Sequence, residues 1–274
     1  MSFQPVIPLT GLAGWRFLQQ SHSQQLEHFS NNAVLTRDIE YFSQNIAKTT
    51  TAEALVSDPR LMKVALGAFG LDGDQGKTAF LRKILEEGSD DPEAFANRLV
   101  DDRYAEFAKA FGYGNFFGPR TGWSGFAEEI TSAYRIRQFE IAVGTSDETM
   151  RLALNFEREI GKYAAKSGDA AWFAIMGNPP LRKLFDSAFG LPQATAQLDL
   201  DQQLTIYQQK AQDLFGADHP SALTDPVNRD LLLRRYFARV QASAGPSALT
   251  PGYAALSLLQ NASSAMSGLV LSRL

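Results

Sequence analysis

The sequence predicts an all-α protein, a single helical domain of two degenerate multi-helix repeats with charge-poor extensions at both ends. Three observations carry that prediction. Asp-Pro or Asn-Pro pairs head apolar-periodic stretches at Asp58-Pro59, Asp91-Pro92, Asn178-Pro179 and Asp225-Pro226. Each pattern that follows runs to a glycine, at Gly70, Gly112, Gly190 and Gly245. The tetrapeptide Ala-Phe-Gly-Leu recurs, with its phenylalanines at Phe69 and Phe189.

The helices follow in chain order from capping chemistry and period. Thr36 is placed to cap a stretch carrying Ile39, Phe42, Ile46 and Ala47. At Asp58-Pro59 the carboxylate accepts the first free amides and the proline already holds a helical φ. Leu61, Val64, Ala65, Ala68 and Phe69 then fall on one face. Gly70 supplies the left-handed residue that closes the helix, and Leu71 folds back over Leu66. Asp74 is placed to cap a helix ending at Gly88, and Asp91-Pro92 opens one ending at Gly112. Ser124 precedes a longer helix reaching Gly144, and Thr145 with Glu148 forms a capping box for the next. Asn178-Pro179 leads to Phe189, Gly190 and Leu191, Asp199 or Asp201 opens a helix ending before Gly216, and Asp225-Pro226 opens the last. Convincing alternating strands are absent.

Laid side by side, the two halves share an order: a short apolar segment, a capped helix ending in Ala-Phe-Gly-Leu, a middle helix and an Asp-Pro helix. Leu61 matches Leu181, Lys63 matches Lys183 and Val64 matches Leu184. This predicts an internal duplication. The boundaries are 1–35 for an N-terminal extension, 36–115 for the first repeat and 116–145 for a connector and linking helix. Residues 146–245 form the second repeat and 246–274 a C-terminal amphipathic tail. Phe69, Gly70, Leu71, Phe189, Gly190 and Leu191 are therefore read as structural helix ends rather than a site used twice.

Composition narrows the function classes. Hydrophobic residues make up 45% of the 274 and charged residues 20%, as in an ordinary globular protein. A net charge of −4 without a basic run disfavours nucleic acid. With no cysteine, disulfides, thiolate metal sites and cysteine nucleophiles are excluded. The N-terminus lacks a basic leader and is interrupted by Pro5 and Pro8, so no cleavable signal is expected, and no apolar run approaches a bilayer-spanning length. The expected location is the cytoplasm, or export without a cleavable signal.

Motifs of chemistry fail on spacing. Residues 70–78, GLDGDQGKT, place Leu71 where a phosphate-binding loop needs glycine, and no strand precedes them. A calcium loop starting at Asp72 meets Lys83 where glutamate is required. His22 and His28 are six apart, off the spacing that shares a helix face, and His219 is remote in sequence. Asp101-Asp102 and Glu128-Glu129 are adjacent pairs that point apart on a helix. No catalytic, cofactor-binding or metal residue is assigned, and a non-enzymatic protein is expected. The alternative from another class is an enzyme with a small-molecule site between the two repeats.

Two regions read as contact surfaces. Residues 112–125, GYGNFFGPRTGWSG, carry Tyr113, Phe116, Phe117 and Trp123 on a glycine-rich connector. The competing reading is that these aromatics plug the seam between the halves. The second region is the pair of ends: Arg16 and Glu27 are the only charged side chains up to Thr36, and Arg273 the only one from Gln241 onward. Leu259, Met266 and Leu269 lie on one helical stripe of the tail, opposite Ser, Asn and Gln. Protein partners are expected, and a homo-oligomer is compatible with such ends.

Several blocks together carry a family resemblance: ALVSDPRLMKVALGAFGL, ANRLVDDRYAEFAKAFGYG, FEIAVGTSDETMRLALNFEREI and NPPLRKLFDSAFGLP. From about Ala33 to Ser243 the chain resembles a bacterial family of unknown function encoded among flagellar genes, with members sometimes labelled flagellar or basal-body rod proteins. The resemblance implies an all-α protein linked to flagellar assembly, export or structure, with flagellar components among its partners. It transfers no catalytic residue. A cytoplasmic chaperone or regulator of a secreted partner is the other reading it allows. If the tail serves assembly, removing residues 246–274 leaves the thermal unfolding transition nearly unchanged; a large loss of stability would place the tail in the core.

Overall fold

Backbone amides at a helix start and carbonyls at its end lack partners within the helix. In the computed structural model, which describes residues 3–243, those groups are met at several helix ends by short polar side chains and glycines. Twelve α-helices are present among the described residues, and no strand. They are α1 (Gly11–Ser30), α2 (Ala33–Asn45), α3 (Ala52–Val56), α4 (Pro59–Phe69), α5 (Thr78–Glu87) and α6 (Arg103–Phe111). They continue as α7 (Phe126–Ser146), α8 (Glu148–Ala164), α9 (Ala170–Gly177), α10 (Pro179–Phe189), α11 (Leu200–Phe215) and α12 (Pro226–Ser243). The all-α class and the single helical domain stand.

The two Ala-Phe-Gly-Leu stretches close α4 and α10 with the same geometry. Asp58 accepts the amides of Arg60 and Leu61 at 2.9 and 3.1 Å, and Asn178 accepts that of Leu181 at 3.2 Å. At the far ends Gly70 and Gly190 both have φ 70°. The Leu71 amide then reaches Leu66 O at 3.0 Å and the Leu191 amide reaches Asp186 O at 2.8 Å. Each last turn also receives an arginine from a later helix. Arg137 Nε of α7 donates to Ala68 O at 2.8 Å, and Arg235 Nε of α12 donates to Ala188 O at 2.9 Å. Phe69 packs edge-on against Phe107, and Phe189 against Tyr207.

One hydrophobic core runs through the helices. The long helix α7 lies against α2, α4, α1 and α8, and α8 in turn packs on α10 and α12. Residues 11–30, part of the charge-poor extension in sequence, form α1, which buries Trp15 and Leu18 and packs Trp15 against Phe237 of α12.

Four helix starts differ from the sequence reading. Asp91-Pro92 opens no α-helix. Asp91 instead accepts the Glu93 amide at 2.9 Å, and the Asn97 side-chain amide binds Ser89 O and Asp91 O, which holds a turn leading to a one-turn 3-10 segment at Phe95–Arg98. The α-helix is delayed to Arg103, although it ends at Gly112 as expected. Asp74 does not cap α5, because its carboxylate is engaged by Lys77 at 2.6 Å and by the Tyr104 hydroxyl. Asn32 rather than Thr36 caps α2, accepting the Val34 amide at 2.9 Å. Asp147 caps α8 in place of the Thr145–Glu148 box, while Glu148 pairs with Arg151 at 2.6 Å. Other partners claim the carboxylates of Asp74 and Asp91, and Asn32 and Asp147 cap in place of Thr36 and Thr145. Gly245 and the tail residues Leu259, Met266 and Leu269 lie outside the described residues.

Gly70→Ala and Gly190→Ala each force a β-carbon onto a left-handed backbone, at a cost of about 1–2 kcal/mol. The added atom would lie 2.8 Å from Arg137 Nη1 at position 70 and 2.1 Å from Arg239 Nη1 at position 190. Gly73 has open space and no positive φ. Denaturant unfolding is expected to show both cap variants destabilised and Gly73→Ala much less affected.

Candidate functional site

The connector between α6 and α7 divides its aromatic residues between two tasks. Tyr113 points inward: its ring stacks on Phe111 and its hydroxyl meets Thr49 Oγ1 at 2.7 Å. Thr121 fastens the other limb, donating to Thr49 O at 2.8 Å, and the Arg120 amide closes the loop on Phe111 O at 2.9 Å. Between these anchors the Gly118 amide bonds Asn115 O at 2.9 Å, which makes Phe116 and Phe117 the two corner residues of a β-turn. Their rings meet edge-to-face with centroids 5.3 Å apart. They are 88% and 83% exposed, and Trp123 is 51% exposed beneath the guanidinium of Arg120. Tyr113 thus packs on Phe111 and Thr49, both from the first half of the chain, while the phenylalanine pair stays exposed.

A second turn is locked onto this one. Residues 86–93 read EEGSDDPE, with five acidic residues and no basic one. The Ser89 amide donates to Asn115 Oδ1 at 2.7 Å, and Asp90 Oδ2 accepts the Phe116 amide at 2.8 Å. Glycine permits the approach. A β-carbon on Gly114 would lie 2.2 Å from Glu86 O and 2.5 Å from Gly88 N. Sequence reading singled out the phenylalanines and missed the acidic turn, although five acids in one short stretch were visible there.

A separate cleft of ≈ 490 Å³ opens between α1, α7 and α8. Trp15, Leu26, Ile136 and Leu154 supply apolar lining, and His22, Glu140, Glu157 and Arg158 supply polar groups. Arg158 grips Glu140 with two bonds of 2.6 and 2.9 Å and also touches Glu159. Glu159 receives Arg137 at 2.8 Å and Lys162. Burial alone would push the Glu159 carboxyl up, but Arg158, Arg137 and Lys162 outweigh it and hold it below the ordinary carboxylate range. Burial pulls the His22 imidazole down against the opposing effect of Glu140, and burial pushes the Glu157 carboxyl up. The three histidines do not converge: His22 packs on Phe139, His28 on Phe3, and His219 bonds the Ser221 amide. Among the described residues no group of acidic and histidine side chains is arranged to hold a metal ion, and no helix is long and apolar enough to cross a membrane.

Residues 68–227 match the model of a family described as a protein of unknown function, DUF1217. The chain belongs to that family. The matched span runs from the end of α4 to the start of α12, and so includes both turns and the α7 and α8 walls of the cleft. The fold is similar to the X-ray crystal structure of protein AGR_C_984 from Agrobacterium tumefaciens. The two are 25% identical with a TM-score of 0.72, over 89% of this chain and 100% of that one. No curated protein matches.

The ion network makes a pH prediction. Because folding depresses the Glu159 carboxyl, its stabilisation is present above the unfolded carboxylate value near 4.3 and is lost as pH falls through the folded value. Glu159→Gln leaves Arg137 and Arg158 undercompensated and is expected to cost about 3 kcal/mol at neutral pH. Urea unfolding across pH should show the wild-type advantage shrinking below about pH 4.

Proposed function

We propose that the protein is a non-enzymatic, flagellum-associated protein that acts through protein–protein contacts in assembly, export or structure, with the Phe116–Phe117 turn as a contact surface. The observation that carries the contact reading is the pair of highly exposed phenylalanines on a turn bonded down at both limbs. Burying an aromatic side chain in a partner is a strong source of affinity, and a turn already held in place loses little conformational freedom on binding. The flagellar part rests on the sequence resemblance and on the charge-poor ends. The two-repeat organisation belongs to the same proposal, supported by the matched caps of α4 and α10 and by the arginine that meets each. Action inside the cytoplasm, or export without a cleavable signal, follows from this reading.

A second reading, an enzyme, is favoured by the cleft of α1, α7 and α8, where the half-buried His22 and Glu157 have shifted acidities. A substrate screen showing turnover that His22→Ala and Glu157→Gln abolish would select it over the contact reading.

Deleting the gene is expected to impair motility or flagellar assembly, and normal flagella with normal swimming would sink the flagellar assignment. Phe116→Ser with Phe117→Ser is expected to restore the full-length protein with an unchanged circular dichroism spectrum but without partner copurification. Cell fractionation then separates a structural subunit from a cytosolic chaperone.

A further inference from the structure

The acidic turn beside the phenylalanine pair carries the contact reading one step further and rests on it. We infer that residues 86–93 and the Phe116–Phe117 turn form one docking surface for a basic segment of a partner protein that carries an apolar anchor. Asp90 binds the backbone of Phe116 itself, so the carboxylate lies within one residue of the exposed rings. Asp91 and Glu93 are exposed, and among the described residues no cation pairs with Asp90, Asp91 or Glu93. Glu86 and Glu87 meet Arg82 and Lys83 of α5 only at 3.9 and 3.7 Å. Three cations near the two turns have other partners: Arg82 also binds Glu53 at 2.8 Å, Lys83 lies over the Phe95 ring, and Arg120 lies over Trp123 and pairs with Glu129.

Charge complementarity selects the partner. An apolar anchor with neighbouring lysines or arginines gains ring burial and attraction to several carboxylates together, whereas an acidic segment meets like charge. An anionic membrane surface is disfavoured for the same reason, although bare phenylalanines would suit lipid. The two turns approach closely at Gly88 and Gly114 and are joined by the Ser89–Asn115 and Asp90–Phe116 bonds, which keeps the acidic turn beside the rings.

The test is selection of random peptides displayed on phage against the purified full chain, followed by binding measurements on the synthetic winners. The winners are expected to carry net positive charge and at least one aromatic or leucine anchor. Phe116→Ser with Phe117→Ser should weaken them about thirtyfold or more. Glu86→Gln with Glu93→Gln, which leaves the Asp90 bond to Phe116 in place, should weaken them several-fold at about 50 mM salt. That difference should fade at about 300 mM. Winners that need the phenylalanines yet are neutral or acidic, or that ignore the glutamate changes, overturn the basic-partner inference and leave the contact reading standing. Winners indifferent to both phenylalanines, or no winners at all, overturn the docking surface as well. Phenylalanine-dependent sedimentation with phosphatidylcholine vesicles, or a phenylalanine-dependent dimer in ultracentrifugation, assigns the surface to lipid or to a second copy and equally overturns the inference.

Discussion

Arg137 is the side chain on which the packing of the first helices against the later ones depends. Its Nε satisfies the last turn of α4 at Ala68 O, and its Nη2 holds Glu159 of α8, both at 2.8 Å. Three helices are thereby fixed by one planar group on α7. Burying that charge is affordable because Nε and Nη2 both find acceptors and because Arg158 and Glu140 extend the network on the same two helices. An apolar side chain at this position would fill the volume but remove the donor to the Ala68 carbonyl and leave Glu159 with one cation fewer. The network also fixes the α7–α8 wall of the cleft, since Glu140 and Arg158 line it from that side.

What was legible in the sequence is what one residue decides alone. Asp58, Asn178, Gly70 and Gly190 each set a helix boundary by intrinsic chemistry, and each performs the expected role. Asp91 and Asp74 carry the same chemistry, yet their carboxylates serve a turn and a tyrosine, so the expected helix starts moved. Arg137 could not be found by spacing, because Ala68 and Glu159 lie far from it along the chain and neither forms a motif with it. The charge-poor first residues suggested an extension. Burial of Trp15 and Leu18 shows why charge is sparse on much of α1: that face meets α7, α8 and α12.

The candidate site was half legible for the same reason. Phe116, Phe117 and Trp123 stand out as aromatics on a glycine-rich connector. Their separation from Tyr113, which faces inward, depends on Thr49, a residue some sixty positions earlier. The acidic turn stands equally far outside any local motif, joined to the aromatic turn through Asn115, Asp90 and the glycine contact. Residue type announced the chemistry of each turn, and only tertiary structure placed them together.

The likeness of the two helix ends also separates features shared by α4 and α10 from those that occur once. Ala-Phe-Gly-Leu, its left-handed glycine and its arginine occur at both α4 and α10, so those features serve closure of the fold. After α4 the chain proceeds through α5, the acidic turn, α6 and the aromatic turn before reaching the arginine-bearing α7. After α10 it reaches the arginine-bearing α12 by way of α11 and a 3-10 segment at Pro220–Thr224. The extra excursion in the first half carries the Phe116–Phe117 pair. Two phenylalanines held in water forgo roughly 1.5–3 kcal/mol each of burial, a sacrifice that folding alone does not require, since Phe107, Phe111 and Phe126 beside them are fully buried. On the proposed contact reading, burial in a complex would recover that free energy.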